Sequence, residues 1–164
     1  MSVKQLLIIR HAKSSWALRG QDDFDRPLND RGHSDAHIMA ERMLKKHIQI
    51  NLFVSSTANR ALTTAGYFAE VYQVKKKDIR GVQNLFHAYP MVYYNVIRTL
   101  EDTVTTVALF AHNPGITLFA NELTTTQIDN IPTCGIFAIK ADIRRWADFE
   151  SAKKTFWFFD YPKQ

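Results

Sequence analysis

Apolar positions along the chain fall into two patterns, short unbroken runs and longer stretches at helical spacing. Leu6-Leu7-Ile8-Ile9 runs straight into Arg10-His11, and a short apolar run closed by polar residues predicts a strand buried on both faces. A polar loop follows at 12–30, containing Gly20, Asp22, Asp23, Asp25, Arg26 and Pro27. It is long for a compact domain, and loops of that length are usually functional or disordered. Asn29 or Asp30 is placed to cap a helix on which Ala36, Met39, Ala40, Met43 and Leu44 recur, ending near His47. Leu52-Phe53-Val54 predicts a second strand. Any of Ser55, Ser56 and Thr57 can cap the next helix, which carries Ala61, Leu62, Ala65, Phe68 and Ala69 on one face and Arg60 in its first turn. A short strand is expected within 79–85. Pro90 opens a third helix through Val92, Val96, Ile97 and Leu100. The β-branched and apolar run 104–110 is another buried strand, ending at Ala111-His112-Asn113-Pro114-Gly115, where Pro114 fits the first position of a helix carrying Leu118, Phe119 and Leu123. Two last strands, 135–140 and 155–159, are joined through 143–150.

Alternation of this kind predicts an α/β fold with three layers, helix, sheet, helix. The sheet is mainly parallel and its terminal strand pair forms an antiparallel edge. Neither a repeat nor a linker interrupts the chain, so 1–164 reads as a single domain, able to bury about two thirds of its unfolded surface without a disulfide or metal staple. The 46% apolar and 23% charged residues suit a soluble globular protein, and no run approaches the roughly 20 apolar residues of a membrane span. Residues 6–9 are too short for a signal-peptide core and no small-residue cleavage site follows them, so the expected location is cytoplasmic, away from membranes. The lone Cys134 excludes an internal disulfide and reads as a small buried hydrophobe. A net charge of +5 and a pI near 9.4 suit nucleic acid, an acidic partner or an anionic substrate. The basic residues are spread out, however, and the one run, Lys75-Lys76-Lys77, reads as a solvated loop. A phosphate-seeking pocket accounts for part of the excess, and nucleic acid is not expected as a partner.

Candidate chemistry gathers where the two buried strands end, because ligands of open α/β sheets bind beyond the carboxyl ends of the strands. Arg10 and His11 end one strand and His112 the other, so parallel neighbours bring both histidines to one edge. Arg60 can reach the same edge from the first turn of its helix. Asn113 to Gly115, at a helix start, can help hold an anion through free N–H groups and the helix dipole. Two arginines and two histidines there would cancel the charge of a phosphoryl group and of its transition state, the main requirement of phosphoryl transfer. No metal or cofactor is needed.

Four ordered segments, Arg10-His11-Ala12-Lys13-Ser14-Ser15-Trp16, Asp25-Arg26-Pro27-Leu28-Asn29-Asp30-Arg31-Gly32, Ser55-Ser56-Thr57-Ala58-Asn59-Arg60-Ala61-Leu62-Thr63-Thr64-Ala65 and His112-Asn113-Pro114-Gly115, closely resemble the histidine phosphatase superfamily. Within it they look like the SixA-type phosphohistidine phosphatases. The likeness extends from Leu6 to about Pro162, including Leu85-Phe86-His87-Ala88 and Ile131-Pro132-Thr133-Cys134. It implies a phosphoglycerate-mutase-like fold in which His11 is the nucleophile that takes the phosphoryl group. Arg10, Arg60 and His112 would bind the phosphoryl oxygens, with Asn113 beside them. A backbone carbonyl accepting from one ring nitrogen of His11 would fix the tautomer that attacks.

The sequence departs from the family pattern in two places. Many members protonate the leaving group with an acidic residue in the third region, which here reads Gln83-Asn84-Leu85-Phe86-His87; Asp25 is the expected substitute, with Asp22 and Asp23 behind it. Ala111 stands where glycine commonly precedes the histidine and adds only a methyl. The chain also lacks room for the helical lid that metabolite-specific members often insert, which implies an open site able to admit a phosphorylated protein side chain. Trp16, Tyr89, His33 and His87 are candidates to line its approach, and Trp157-Phe158-Phe159 reads as strand core. The expected activity is therefore a metal-independent phosphatase acting on phosphohistidine in signalling proteins, as a monomer. A small-molecule phosphomonoesterase, a phosphomutase and a non-catalytic phosphate-binding module remain as alternatives.

Overall fold

The structure, a computed structural model, describes residues 2–163. Six strands, β1 (Lys4–Arg10), β2 (Leu52–Ser55), β3 (Arg80–Gly81), β4 (Thr106–Ala111), β5 (Ile136–Ala141) and β6 (Lys154–Asp160), form one sheet in the order β3-β2-β4-β1-β5-β6. The first four strands are parallel, and β5 and β6 are added as an antiparallel edge. Helices α1 (Asp30–Lys45) and α2 (Asn59–Val71) cover one face, and α3 (Pro90–Ile97) and α4 (Gly115–Leu123) the other. The layered, mainly parallel architecture is the expected one. Among the described residues no helix is long and apolar enough to cross a membrane.

Strand β1 shows why its run is unbroken. Successive side chains of a strand point to opposite faces, so Leu6 and Ile8 enter the core under α3 and α4 while Leu7 and Ile9 enter the core under α1 and α2. All four are fully buried. Its register against β4 places Arg10 opposite Ala111, so His11 and His112 leave the sheet side by side.

Several boundaries differ from the sequence expectations. Asn29 does cap α1, its side-chain oxygen accepting the Gly32 N–H at 2.8 Å. Ser55, Ser56 and Thr57 do not cap α2, whose N-cap is Ala58, because the two serine hydroxyls are used elsewhere: Ser55 donates to the Ser56 carbonyl and Ser56 meets His112. Within 79–85 only Arg80 and Gly81 pair before a 3₁₀ turn at Gln83–Leu85, since Gln83 and Asn84 give the chain no apolar face to bury. Val104 lies outside β4, its carbonyl accepting from Lys4 Nζ and Trp146 Nε1. Pro114 is the N-cap of α4 rather than its first residue. Gly115 follows because a Cβ there would strike the Ala88 carbonyl. Trp157, Phe158 and Phe159 are half-buried rather than core, because β6 is the outermost strand.

The loop 12–30 is tied down close to the sheet edge. Ser14 bridges to Leu28, Asp23–Asp25 form a 3₁₀ turn, and the buried Arg26 joins the two halves by donating to Ser14 Oγ and Asp23 Oδ1.

Candidate active site

His11 sits one residue past β1 and is only 7% exposed. Its Nδ1 lies 2.7 Å from the Ala12 carbonyl oxygen. A carbonyl only accepts, so Nδ1 carries the proton and Nε2 keeps its lone pair. Arg60 Nε–H donates to that Nε2 at 3.3 Å. Thr64 fixes the loop beneath, its Oγ1 accepting from Ala12 N–H at 2.9 Å while its hydroxyl donates to the Arg60 carbonyl at 2.7 Å. From the other side, Cys134 N–H donates to the Arg10 and His11 carbonyls. Cys134 itself is buried, and burial pushes its thiol well above the ordinary range. Loss of solvent drives the His11 pKa down to about 4; the Ala12 bond opposes this, and the charges of Arg60, Arg10 and Arg26 add to it. His11 is thus neutral at physiological pH.

His112 follows β4 and is 5% exposed, its ring centroid 5.2 Å from that of His11. Burial first, then the fields of His11, Arg60 and His87, bring its pKa down to about 3. Its Nε2 lies 2.8 Å from Ser56 Oγ. Its Nδ1 is buried with no partner in the protein, as is Arg10 Nε, whose guanidinium is held by NH1 donating to the Ile131 carbonyl at 3.1 Å. Buried polar atoms without hydrogen-bond partners are uncommon and costly. Two of them beside His11 mark a place for a polar group from outside.

Arg60, 5% exposed, comes from the first turn of α2 and is aimed by Asp23. Its NH2 meets Asp23 Oδ2 at 3.1 Å, and its NH1 donates to the Asp23 carbonyl. Although partial burial opposes it, Arg26 and Arg60 together hold the Asp23 carboxyl below the usual carboxylate range.

A cavity of about 440 Å³ opens over Arg10, His11, Arg60 and His112, with Asp23 also on its wall. Its outer part is formed by Lys13, Trp16, Arg26, His87, Asn113 and Thr133. Trp16 is 76% exposed yet held in place by the Arg26 guanidinium stacked 3.4 Å from its ring.

The four residues expected to converge, Arg10, His11, Arg60 and His112, all do. Asp25 does not join them: its side chain is exposed and lies outside the cavity wall, because the 3₁₀ turn directs Asp23 inward instead. Asn113 lines the cavity, but its amide is engaged within the fold, donating to Asn130 Oδ1 and the Ile131 carbonyl and accepting from the Thr117 hydroxyl. Of the residues expected along the approach, Trp16 and His87 are there, whereas Tyr89 is exposed elsewhere and His33 bonds Tyr67 at 2.7 Å in a separate groove. Ser56 reads in the sequence as a helix-cap candidate, and its contact with His112 has no local signal beyond a pair of serines closing a buried strand.

The family model for the histidine phosphatase superfamily (branch 1) matches residues 6–84. An uncharacterized protein of Mycobacterium leprae is 29% identical over 94% of this chain and the whole of that protein. Among solved structures, a protein assigned as phosphohistidine phosphatase SixA from Agrobacterium tumefaciens superposes with a TM-score of 0.83 at 25% identity, covering 98% of this chain and 99% of the other. A mycobacterial glucosyl-3-phosphoglycerate phosphatase shares the fold, with a TM-score of 0.70 at 16% identity over 97% of this chain and 100% of that one. The matched stretch runs from the strand that ends at His11 through the helix that carries Arg60, and over those residues, on this sheet, the chain is similar to the histidine phosphatase superfamily.

Proposed function

We propose that the chain is a phosphatase that works through a phosphohistidine on His11 and acts on phosphohistidine presented by a protein. The observation that carries this is the state of His11: neutral, with Nε2 unprotonated because Nδ1 is bonded to the Ala12 carbonyl, at the floor of a cavity lined by Arg10 and Arg60. In the first step Nε2 attacks phosphorus, the bond from phosphorus to the leaving nitrogen breaks, and that nitrogen keeps the electron pair. Water then attacks the phosphorus on His11, releasing inorganic phosphate and restoring the imidazole. Arg10, Arg60 and His112 donate to the phosphoryl oxygens as charge shifts toward the leaving group. Removing a single donor of this kind costs about 3 kcal/mol of transition-state stabilisation in other enzymes.

Leaving-group chemistry supports the nitrogen substrate. Asp23 is held ionised by two arginines and Asp25 lies outside the cavity, so neither is placed to give up a proton. A phosphohistidine protonated on its other ring nitrogen leaves as neutral imidazole and needs no donor. An alkoxide does need one.

The test is release of inorganic phosphate from a phosphorylated histidine-containing carrier protein, from p-nitrophenyl phosphate and from an alkyl phosphate, using the wild type and His11→Ala. Hydrolysis of the carrier should be fastest and should vanish in the folded variant. Faster hydrolysis of the alkyl phosphate would favour a small-molecule phosphomonoesterase. Transfer without release would indicate a mutase, and no reaction with any of the three a phosphate-binding module.

A further inference from the structure

We infer that Ser56 is a positioning residue that holds His112 in the tautomer with its proton on Nδ1, making a neutral His112 a hydrogen-bond donor toward the phosphoryl oxygen. The hydroxyl of Ser56 is fully buried. It has two neighbours within bonding distance. Ala58 N–H lies 3.2 Å away and only donates, so Ser56 Oγ accepts from it. His112 Nε2, at 2.8 Å, is then the one group that can take the hydroxyl proton. A buried hydroxyl that donates to nothing loses a hydrogen bond outright, so the proton runs from Oγ to Nε2. A neutral imidazole has one protonated nitrogen, which must therefore be Nδ1.

The opposite tautomer fails twice. Its Nε2–H would point at Ser56 Oγ, leaving the hydroxyl proton without an acceptor, and its Nδ1 would become a bare lone pair in a pocket built for an anion. In the assigned tautomer one group alone is left over, the Nδ1–H, which is buried and lacks a partner in the protein. An oxygen of the bound phosphoryl group completes it. Because burial keeps His112 uncharged at neutral pH, the ring has no second proton with which to donate from both nitrogens, and the orientation of one serine hydroxyl decides whether it attracts or repels the substrate.

The test reads the tautomer directly in the resting protein, from side-chain ¹H–¹⁵N correlation spectra of the ¹⁵N-histidine-labelled full chain at pH 7. Of the six histidines, His112 is identified as the signal lost in His112→Gln. We expect protonated Nδ1 and unprotonated Nε2 in the wild type and in Ser56→Thr, and a shift toward protonated Nε2 in Ser56→Ala. Alongside it, kcat/KM for p-nitrophenyl phosphate should fall about tenfold in Ser56→Ala and recover in Ser56→Thr, since a factor of ten corresponds to the worth of about one hydrogen bond. Protonated Nε2 in the wild type, or an Nδ1–H that persists unchanged in Ser56→Ala, would overturn the inference. Should Ser56→Ala fail to fold, the wild-type spectrum alone decides. The kinetic half rests on the phosphatase reading; the spectra, recorded without substrate, do not, so the two can fail separately.

Discussion

Acidification should destabilise this protein through the two histidines that face its cavity. In the unfolded chain each titrates near 6.5. In the folded chain His11 holds out to about 4 and His112 to about 3. Between pH 6.5 and 4 the unfolded state therefore binds two protons that the native state refuses, and stability falls as pH falls. Each histidine contributes about 1.4 kcal/mol per pH unit in that window, so about 4 kcal/mol is lost between pH 7 and pH 5. That is a large part of the 5–15 kcal/mol typical of a folded domain. Below pH 4 the loss levels off for His11, and above pH 7 neither group contributes. Urea unfolding at pH 7, 6 and 5, on the wild type and on a His11→Gln, His112→Gln double variant, isolates the effect. The wild type should lose about 4 kcal/mol more than the variant between pH 7 and 5. Parallel curves would refute the reasoning, because they would mean that neither imidazole resists protonation in the fold.

Arg60→Lys keeps a charge but loses the planar guanidinium that reaches both Asp23 and the cavity, and should lower kcat/KM about 50-fold, roughly 2.3 kcal/mol, with little change in unfolding midpoint. Asp25→Asn should leave turnover of a phosphorylated histidine carrier within a factor of two, while Asp23→Asn, which loosens Arg60 and Arg26, should lower it about tenfold; a collapse of activity in Asp25→Asn would restore that residue as the proton donor. Gly115→Ala drives a methyl against the Ala88 carbonyl and should cost about 2–3 kcal/mol by denaturant unfolding, with a loss of activity because α4 begins three residues after His112.

The parts of the site that lie on regular elements could be read from the chain. His11 and His112 end strands whose unbroken apolar runs identify them as interior strands of a mainly parallel sheet, whose carboxyl ends share one edge, and Arg60 falls in a first helical turn that can reach that edge; that the two strands are neighbours is shown by the pairing of β1 with β4. What could not be read depends on side-chain direction inside irregular backbone. Asp22, Asp23 and Asp25 look equivalent in sequence, and only the 3₁₀ turn at Asp23–Asp25 and the pull of Arg26 and Arg60 select Asp23. Ser56 looked like a helix cap, a local role, because its actual partner is 56 residues away in sequence and meets it only through the pairing of β2 with β4. Asn113 looked free to bind an anion, since nothing near it in sequence signals that Asn130, Ile131 and Thr117 would occupy its amide. The short strand expected within 79–85 is there as β3, but two paired residues are too few to leave a periodic signature that would fix its ends.

The most direct test of the account is to trap the covalent intermediate. The protein is mixed with excess phosphorylated histidine-containing carrier, quenched in alkali within the first turnovers, where a phosphoramidate survives, and digested for mass spectrometry and ³¹P NMR. The account predicts one phosphoryl group on Nε2 of His11, formed and lost at rates that match turnover and absent from His11→Ala. Turnover with no phosphoryl group on the chain, or with one carried elsewhere than His11, would contradict it.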